Sequence, residues 1–533
     1  MNYRSVAAIT VWLLNSIATT HSTLAQTTSQ FEAAVVVDLE SDRGQNYGTL
    51  FEVTDDDGQT VAGAGFMAAY NTQPRSDREL LQVFVRPANV SLNWEVQRLP
   101  AIAGSATGFY PFSMGGQLFV HNRSEKGKLP ADPNVYRWDG KQQQWLGEPE
   151  IQPYSEHVAG KVLAVSATAV TYDGRVLLEP QVGARFAEHY FAHGVLFIKE
   201  ANQQANPVLN RVIACRWSPE SDQSLTPEPD WQVDLPIPFE FIYAFGQLND
   251  DVLAVSNNGR VLKFDDQGWT TLRTPPVPAV SFQVYSILTC NDRLLLGQYP
   301  TGEIYQFADG KLELLSGWPP VLAGVSGASR EAQTLAIYDG DLYAGIWPWA
   351  ELWRYDMQRE RWAFTQRMFD HPLPTDAVTH PYELETKQVD PVANLWGQRI
   401  TGLQPHGTGM LITTSSKSSG PWDPKFSFLG PKQLSDYGAS YLATLPGNLA
   451  TAIEWKPRPT KISVALSGAI LSIAQDGRVL AQVQLPDCLL TEFRPAKITW
   501  GQGVYGKWSG KLSDSQATLQ SQSALDRSTE PNH

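Results

Sequence analysis

Cysteine is nearly absent from this chain of 533 residues, which has 3. Cys215, Cys290 and Cys488 are far apart and odd in number, with no CxxC or Cys/His spacing. A disulfide framework and a zinc or redox motif are thereby excluded, and the expectation is of thiols buried in strands. Basic charge is short as well: 41 Lys and Arg face 55 Asp and Glu, a net charge of −14. Nucleic acid is excluded as a partner, because a polyphosphate needs a basic face. An anionic ligand therefore requires a locally basic pocket. No apolar run reaches the ~20 residues of a membrane-spanning helix, and no segment keeps a helical period.

At the N-terminus, Arg4 precedes an uncharged stretch from Val6 to Ile17 and then the small-residue site Thr23-Leu24-Ala25. This reads as a signal peptide over 1–25, with Gln26 the first mature residue and a secreted or periplasmic destination. The mature chain, with 17 Trp, has ample material for a large core plus a smaller second domain.

One unit recurs along the chain. It has a short apolar strand, a Gly/Asp/Asn turn, a second strand, a variable loop, a third strand ending in Asp, and a fourth strand often opened by Trp. The clearest copy is Tyr338-Asp-Gly-Asp-Leu-Tyr-Ala-Gly345 with Leu352-Trp-Arg-Tyr-Asp356 and Trp362. Val135-Tyr-Arg-Trp-Asp139 with Trp145, and Val261-Leu-Lys-Phe-Asp265 with Trp269, repeat it. Such units are four-stranded antiparallel sheets that bury both faces only when set radially. The fold class expected is all-β, a β-propeller of about seven blades with a small C-terminal β-sandwich-like domain. Second strands are placed near Leu118, Val176, Val252, Leu294, Leu342 and Met410, after a first blade around Tyr47. The domains expected are a propeller over 26–450, a β-rich domain over 451–511 and a disordered, Ser- and Gln-rich tail over 512–533.

The third-to-fourth strand segments, such as Leu352-Trp-Arg-Tyr-Asp-Met-Gln-Arg-Glu-Arg-Trp362, resemble kelch-type propeller repeats over roughly residues 105 to 446, although most units lack the kelch Gly-Gly doublet. Sialidase Asp boxes, Ser-x-Asp-x-Gly-x-x-Trp, are missing. Secreted propellers that cleave uronate polysaccharides, such as ulvan lyases, look similar in architecture and in residue types, without a residue-by-residue match. That resemblance implies polysaccharide as the partner, an anionic one included, and β-elimination as a reaction class.

Propeller topology assigns residues to sides, since second-to-third loops and blade crossings share one face, where ligands usually bind. His121, His157, His189, His193, His371 and His380 are expected there. The segment from Gln181 to Gly194, read as a second-to-third loop, concentrates Arg185, Glu188, His189, Tyr190 and His193. The catalytic candidates are His189, Tyr190, Arg185, His121 and His157: an Arg neutralises a carboxylate, and a His or Tyr moves the proton. His189 and His193 are also spaced as metal ligands would be on a helix, which a loop does not supply, so no metal is assigned and no cofactor is identified. The substrate-binding candidates are Trp347, Trp349, Trp396, Arg399, Lys417, Trp422 and Tyr382, because aromatic planes stack on sugar rings. A hydrolase would instead need two opposed carboxylates among Glu188, Glu303, Glu351, Glu383 and Asp423. A non-catalytic carbohydrate- or protein-binding scaffold is the third reading.

Overall fold

The computed structural model describes residues 29–71, 75–102, 108–122, 134–153, 155–202, 204, 209–275, 283–315, 317–382, 396–417 and 430–520. The expected leader lies outside them. Among the described residues no helix is long and apolar enough to cross a membrane.

The repeated grammar folds as antiparallel meanders. Seven successive antiparallel units cover 109–147, 156–178, 184–235, 242–273, 284–314, 331–367 and 398–444, four strands each except the last, which supplies three, and they are called blades 1 to 7 below. First strands touch between blades 4 and 5, 5 and 6, 6 and 7, 7 and 1, and 1 and 2, so the blades run from the axis outward and the whole is a β-propeller. The Trp that opens a fourth strand faces an aromatic residue on the third: Trp145 faces Trp138, Trp269 faces Phe264, and Trp362 faces Tyr355. The ring centroids are 5.1 Å apart in all three pairs. This cross-strand aromatic pair is why the repeat ends in Trp, since facing rings stabilise a hairpin by up to about 1 kcal/mol.

The ring closes between chain segments far apart in sequence. Blade 7 has three strands of its own, Gln398–His406, Gly409–Ser416 and Ser440–Thr444, and its outermost strand is Glu95–Arg98. Gly108 opens blade 1 against Ser415 of blade 7, and a Cβ there would fall 2.2 Å from the Ser415 Cβ, so the seam needs glycine.

Three expectations change. First, no blade forms around Tyr47. Gly48–Thr54, Thr60–Phe66 and Leu80–Val85 hydrogen-bond with Asn448–Ala452 and Lys497–Trp500, while Ser29–Asp38 pairs with Thr460–Ser467 and Lys511–Leu519. These two five-stranded sheets pack face to face around Phe31, Val35, Phe51, Phe66, Val464 and Phe493. The sandwich is therefore built from both ends of the chain, and the strands of 451–511 share its sheets with strands of 29–85. Second, Val176, expected in the second strand of a single unit between those of Leu118 and Val252, is in the fourth strand of the first of two blades that lie there, 156–178 and 184–235. Third, the tail expected to be disordered from Leu512 continues as a strand to Leu519. Its alternation of small and polar residues suits a solvent-facing edge strand. Cys215 and Cys290 are buried free thiols as expected, but Cys488 is exposed on the short helix Asp487–Glu492.

The sandwich docks on the face carrying the first-to-second turns. Arg43 donates to the His193 carbonyl, Gln247 to the Gly44 carbonyl, Asn291 N–H to the Val504 carbonyl and Gly116 N–H to Asp77. From it a segment dips toward the axis, where Ala69–Asn71 adds an inner strand to blade 5. One face is thus capped by the sandwich, and the long-loop face lies opposite it.

Candidate functional site

The segment from Gln181 to Gly194 is not a loop. Ala184–Ala192 is the innermost strand of blade 3, and His193-Gly194 is its turn on the sandwich side. Its polar side chains are tolerated because the segment dipping from the sandwich and the strands of blades 2, 3 and 4 bring their partners. Lys199 Nζ lies 2.9 Å from Glu188 Oε2, and the Tyr70 hydroxyl donates to the same carboxylate. Arg75 donates to the His189 carbonyl at 2.6 Å, and His189 Nε2 lies 2.9 Å from Glu156 Oε1. Arg78 pairs with Asp42 at 2.9 Å and donates to the His157 carbonyl at 3.0 Å, while His157 Nδ1 is 3.3 Å from Glu79. Tyr190 accepts from Gln247 at 3.0 Å and stacks on Phe245.

This network shifts the titration of its members. Burial alone would raise the Glu156 carboxyl, but His189, Arg78 and Arg75 hold it at about 2. Burial, then Arg75, lowers the His189 imidazole, and burial raises the Tyr190 phenol. A base must reach its substrate proton. His189, His157 and Tyr190 are committed to the sandwich contact instead. His189 and His193 do not form a metal pair, since in an extended strand four residues separate them by roughly 13 Å. Arg75, Arg78, Glu156, Asp42 and Lys199, the rest of this network, carried no local signal.

Arg185 is parted from that group. It is exposed near the start of the same strand, at the long-loop end. His121 is also at that end, closing the second strand of blade 1 and stacked on Tyr110 at 5.3 Å. Among the described residues no hydrogen bond or ion pair links Arg185 to the cluster described next.

Innermost strands begin, and second strands end, at the long-loop mouth. Blades 5, 6 and 7 bring Tyr285, Glu331 and Arg399 there from innermost strands, and Tyr299, Trp347 and Lys417 from second-strand ends. Arg399 pairs with Glu331 at 2.9 Å and donates to the Tyr285 hydroxyl at 3.1 Å. Lys417 Nζ is 3.4 Å from Glu331, 3.3 Å from the Tyr299 ring centroid and 4.4 Å from that of Trp347. Tyr285 stacks on Tyr243 of blade 4 at 4.9 Å. Burial and then Glu331 raise the Tyr285 phenol, so it is a donor at neutral pH rather than a base. Among the described residues, two cations thus share one buried carboxylate at this mouth. The hydroxyls of Thr401, Thr413 and Ser415 and the Trp347 indole N–H are buried without a hydrogen-bond partner among the described residues. Such groups call for water or a polar guest.

Of the expected substrate-binding residues, Arg399 and Lys417 converge here. Trp347, Trp349 and Trp396 are at most 1% exposed, contrary to the exposed platforms expected. His380, from the crossing between blades 6 and 7, lies 4.4 Å over Trp349, and Tyr437, from the second-to-third connection of blade 7, packs edge-on to Trp396 and donates to its carbonyl. Trp347 serves as floor beneath Lys417. Tyr382 is buried against His371, its hydroxyl 2.7 Å from Nδ1. Trp422, Glu383 and Asp423 lie outside the described residues. Among the remaining carboxylates, Glu188 is tied as above, Glu351 is held by Arg330 and the Trp353 indole, and Glu303 accepts from Thr301. No opposed catalytic pair forms among the described residues. The metal-type grouping among them, Asp370, His371 and Asp436, is already engaged, because Asp436 pairs with Arg98 at 2.7 Å and His371 with Tyr382.

No protein-family model and no curated protein matches the chain. Solved structures give distant likenesses. The extracellular domain of the BT4673 one-component system from B. thetaiotaomicron is 11% identical, with a TM-score of 0.38 over 65% of this chain and 39% of that one. BamB from Moraxella catarrhalis is 11% identical, with a TM-score of 0.25 over 73% and 91% of the two chains. YCF48, solved bound to D1 peptide, is 12% identical, with a TM-score of 0.23 over 67% and 99%. At these values the propeller assignment rests on the sheet order of the chain itself.

Proposed function

We propose that the protein is an extracellular binding propeller that holds an acidic polysaccharide at its long-loop mouth. The observation that carries this reading is the placing of Arg399 and Lys417 around one buried carboxylate, walled by Tyr285, Tyr299 and Trp347. Guanidinium and ammonium groups meet uronate or sulfate oxygens, and tyrosine hydroxyls meet sugar hydroxyls. Elimination is the weaker reading, since His189, Tyr190 and His157 are engaged away from Arg185 and His121, and Tyr285 keeps its proton.

Isothermal titration with hexagalacturonate and with neutral cellohexaose tests this. The acidic oligomer should bind and the neutral one should bind far more weakly. Lys417→Gln should weaken the acidic oligomer by about tenfold, the scale of one charge-assisted contact. Absorbance of an unsaturated uronate product should not appear. Equal binding of both oligomers, or wild-type affinity in Lys417→Gln, contradicts the proposal; a rising absorbance restores the lyase.

A further inference from the structure

A second basic site lies on the opposite side of the disc, where the chain leaves the sandwich as 86–94 to reach the closing strand of blade 7. A cavity of about 480 Å³ opens there against the turns of blade 6, lined by Arg86, Trp94, Asp339, Arg354, Arg359 and Arg361 among others. Arg354 donates to Asp341 Oδ2 and Arg86 forms an ion pair with the same oxygen at 2.6 Å, so two guanidiniums share one carboxylate. Arg359 pairs with Asp356 at 2.8 Å, and Arg361 is exposed with no ion pair among the described residues. Asp339 is held by Asn448 at 3.2 Å. The guanidiniums outnumber the carboxylates around this cavity, although the chain as a whole carries −14.

The donors also outnumber their uses. Arg354 spends its Nε–H on Asp341, and its two terminal amino groups have no partner among the described residues. A guanidinium edge matches two oxygens of a carboxylate, sulfate or phosphate bidentately. Trp94, half-buried and stacked on Tyr338 at 5.5 Å, adds an aromatic wall. The volume exceeds that of an inorganic ion and falls in the range of small-molecule pockets.

We propose that this cavity binds a small organic oxyanion of roughly monosaccharide size, bearing a carboxylate, sulfate or phosphate, through Arg354 and Arg361. It is independent of the mouth site. Titration of the full chain at fixed ionic strength with glucuronate, glucose 6-sulfate and glucose 6-phosphate, and with glucose, tests it and separates the three chemistries. Saturable binding of at least one anion and none of glucose is expected, with Arg354→Gln and Arg361→Gln each weakening it at least tenfold. Arg478→Gln, on an exposed sandwich strand, should match wild type. Should Arg354→Gln fail to fold, exposed Arg361→Gln decides. The proposal falls if none of the anions saturates, if folded Arg361→Gln binds like wild type, or if Lys417→Gln abolishes the binding and so moves the anion to the mouth.

Discussion

Asp339 shows how burial sets the chemistry of one residue. It sits in the first turn of blade 6 with φ 53, a left-handed conformation that Asp and Asn adopt more readily than other non-glycine residues. Burial, reinforced by Asp341 and opposed by Arg86, pushes its carboxyl up to about 7. A carboxyl raised on folding costs stability as pH climbs from the unfolded value near 4 to the folded one near 7, at about 1.4 kcal/mol per unit. Asp339→Asn keeps the backbone preference and an oxygen for the Asn448 amide. It should raise the thermal midpoint at pH 8 and change it little at pH 4, in melts followed by circular dichroism. An equal effect at both pH values would show that Asp339 is not buried in this way. Residue roles were the least legible part of the sequence. His189 looked like a loop base because its partners, Arg75 and Glu156, are 114 and 33 positions away. Arg399 and Lys417 could be found because strand polarity fixed their end of the blade.

At the scale of elements, the strand pattern carried far. The third-to-fourth hairpins of blades 1, 4 and 6 follow from their Asp turns and Trp, both local signals. Partner choice is not local, so the strands after Tyr47 looked like a blade while their ladders lie with residues about 400 positions on. The closing strand gives a sharp test. Leu99 N–H donates to Ser440 O, so with a period of two Gln97 directs its N–H toward Leu442, and Val96 directs its own away. Gln97→Pro removes a ladder bond, worth up to about 3 kcal/mol with the ring clash, and should lower the midpoint by several degrees. Val96→Pro should cost clearly less. Equal effects would mean that Glu95–Arg98 does not close blade 7.

For the molecule as a whole, the consequence of joining both termini in one sandwich is directional. The sandwich covers the turn face and sends Ala69–Asn71 into the axis, so the cluster of Tyr285, Glu331, Arg399 and Lys417 lies at the opposite, long-loop end of the blades. Hydrogen–deuterium exchange with and without hexagalacturonate tests this most directly. Protection is predicted in peptides covering 283–299, 331–347 and 398–417, with 29–66 and 460–519 unchanged. Protection confined to the sandwich, or none at a saturating concentration, would contradict the account.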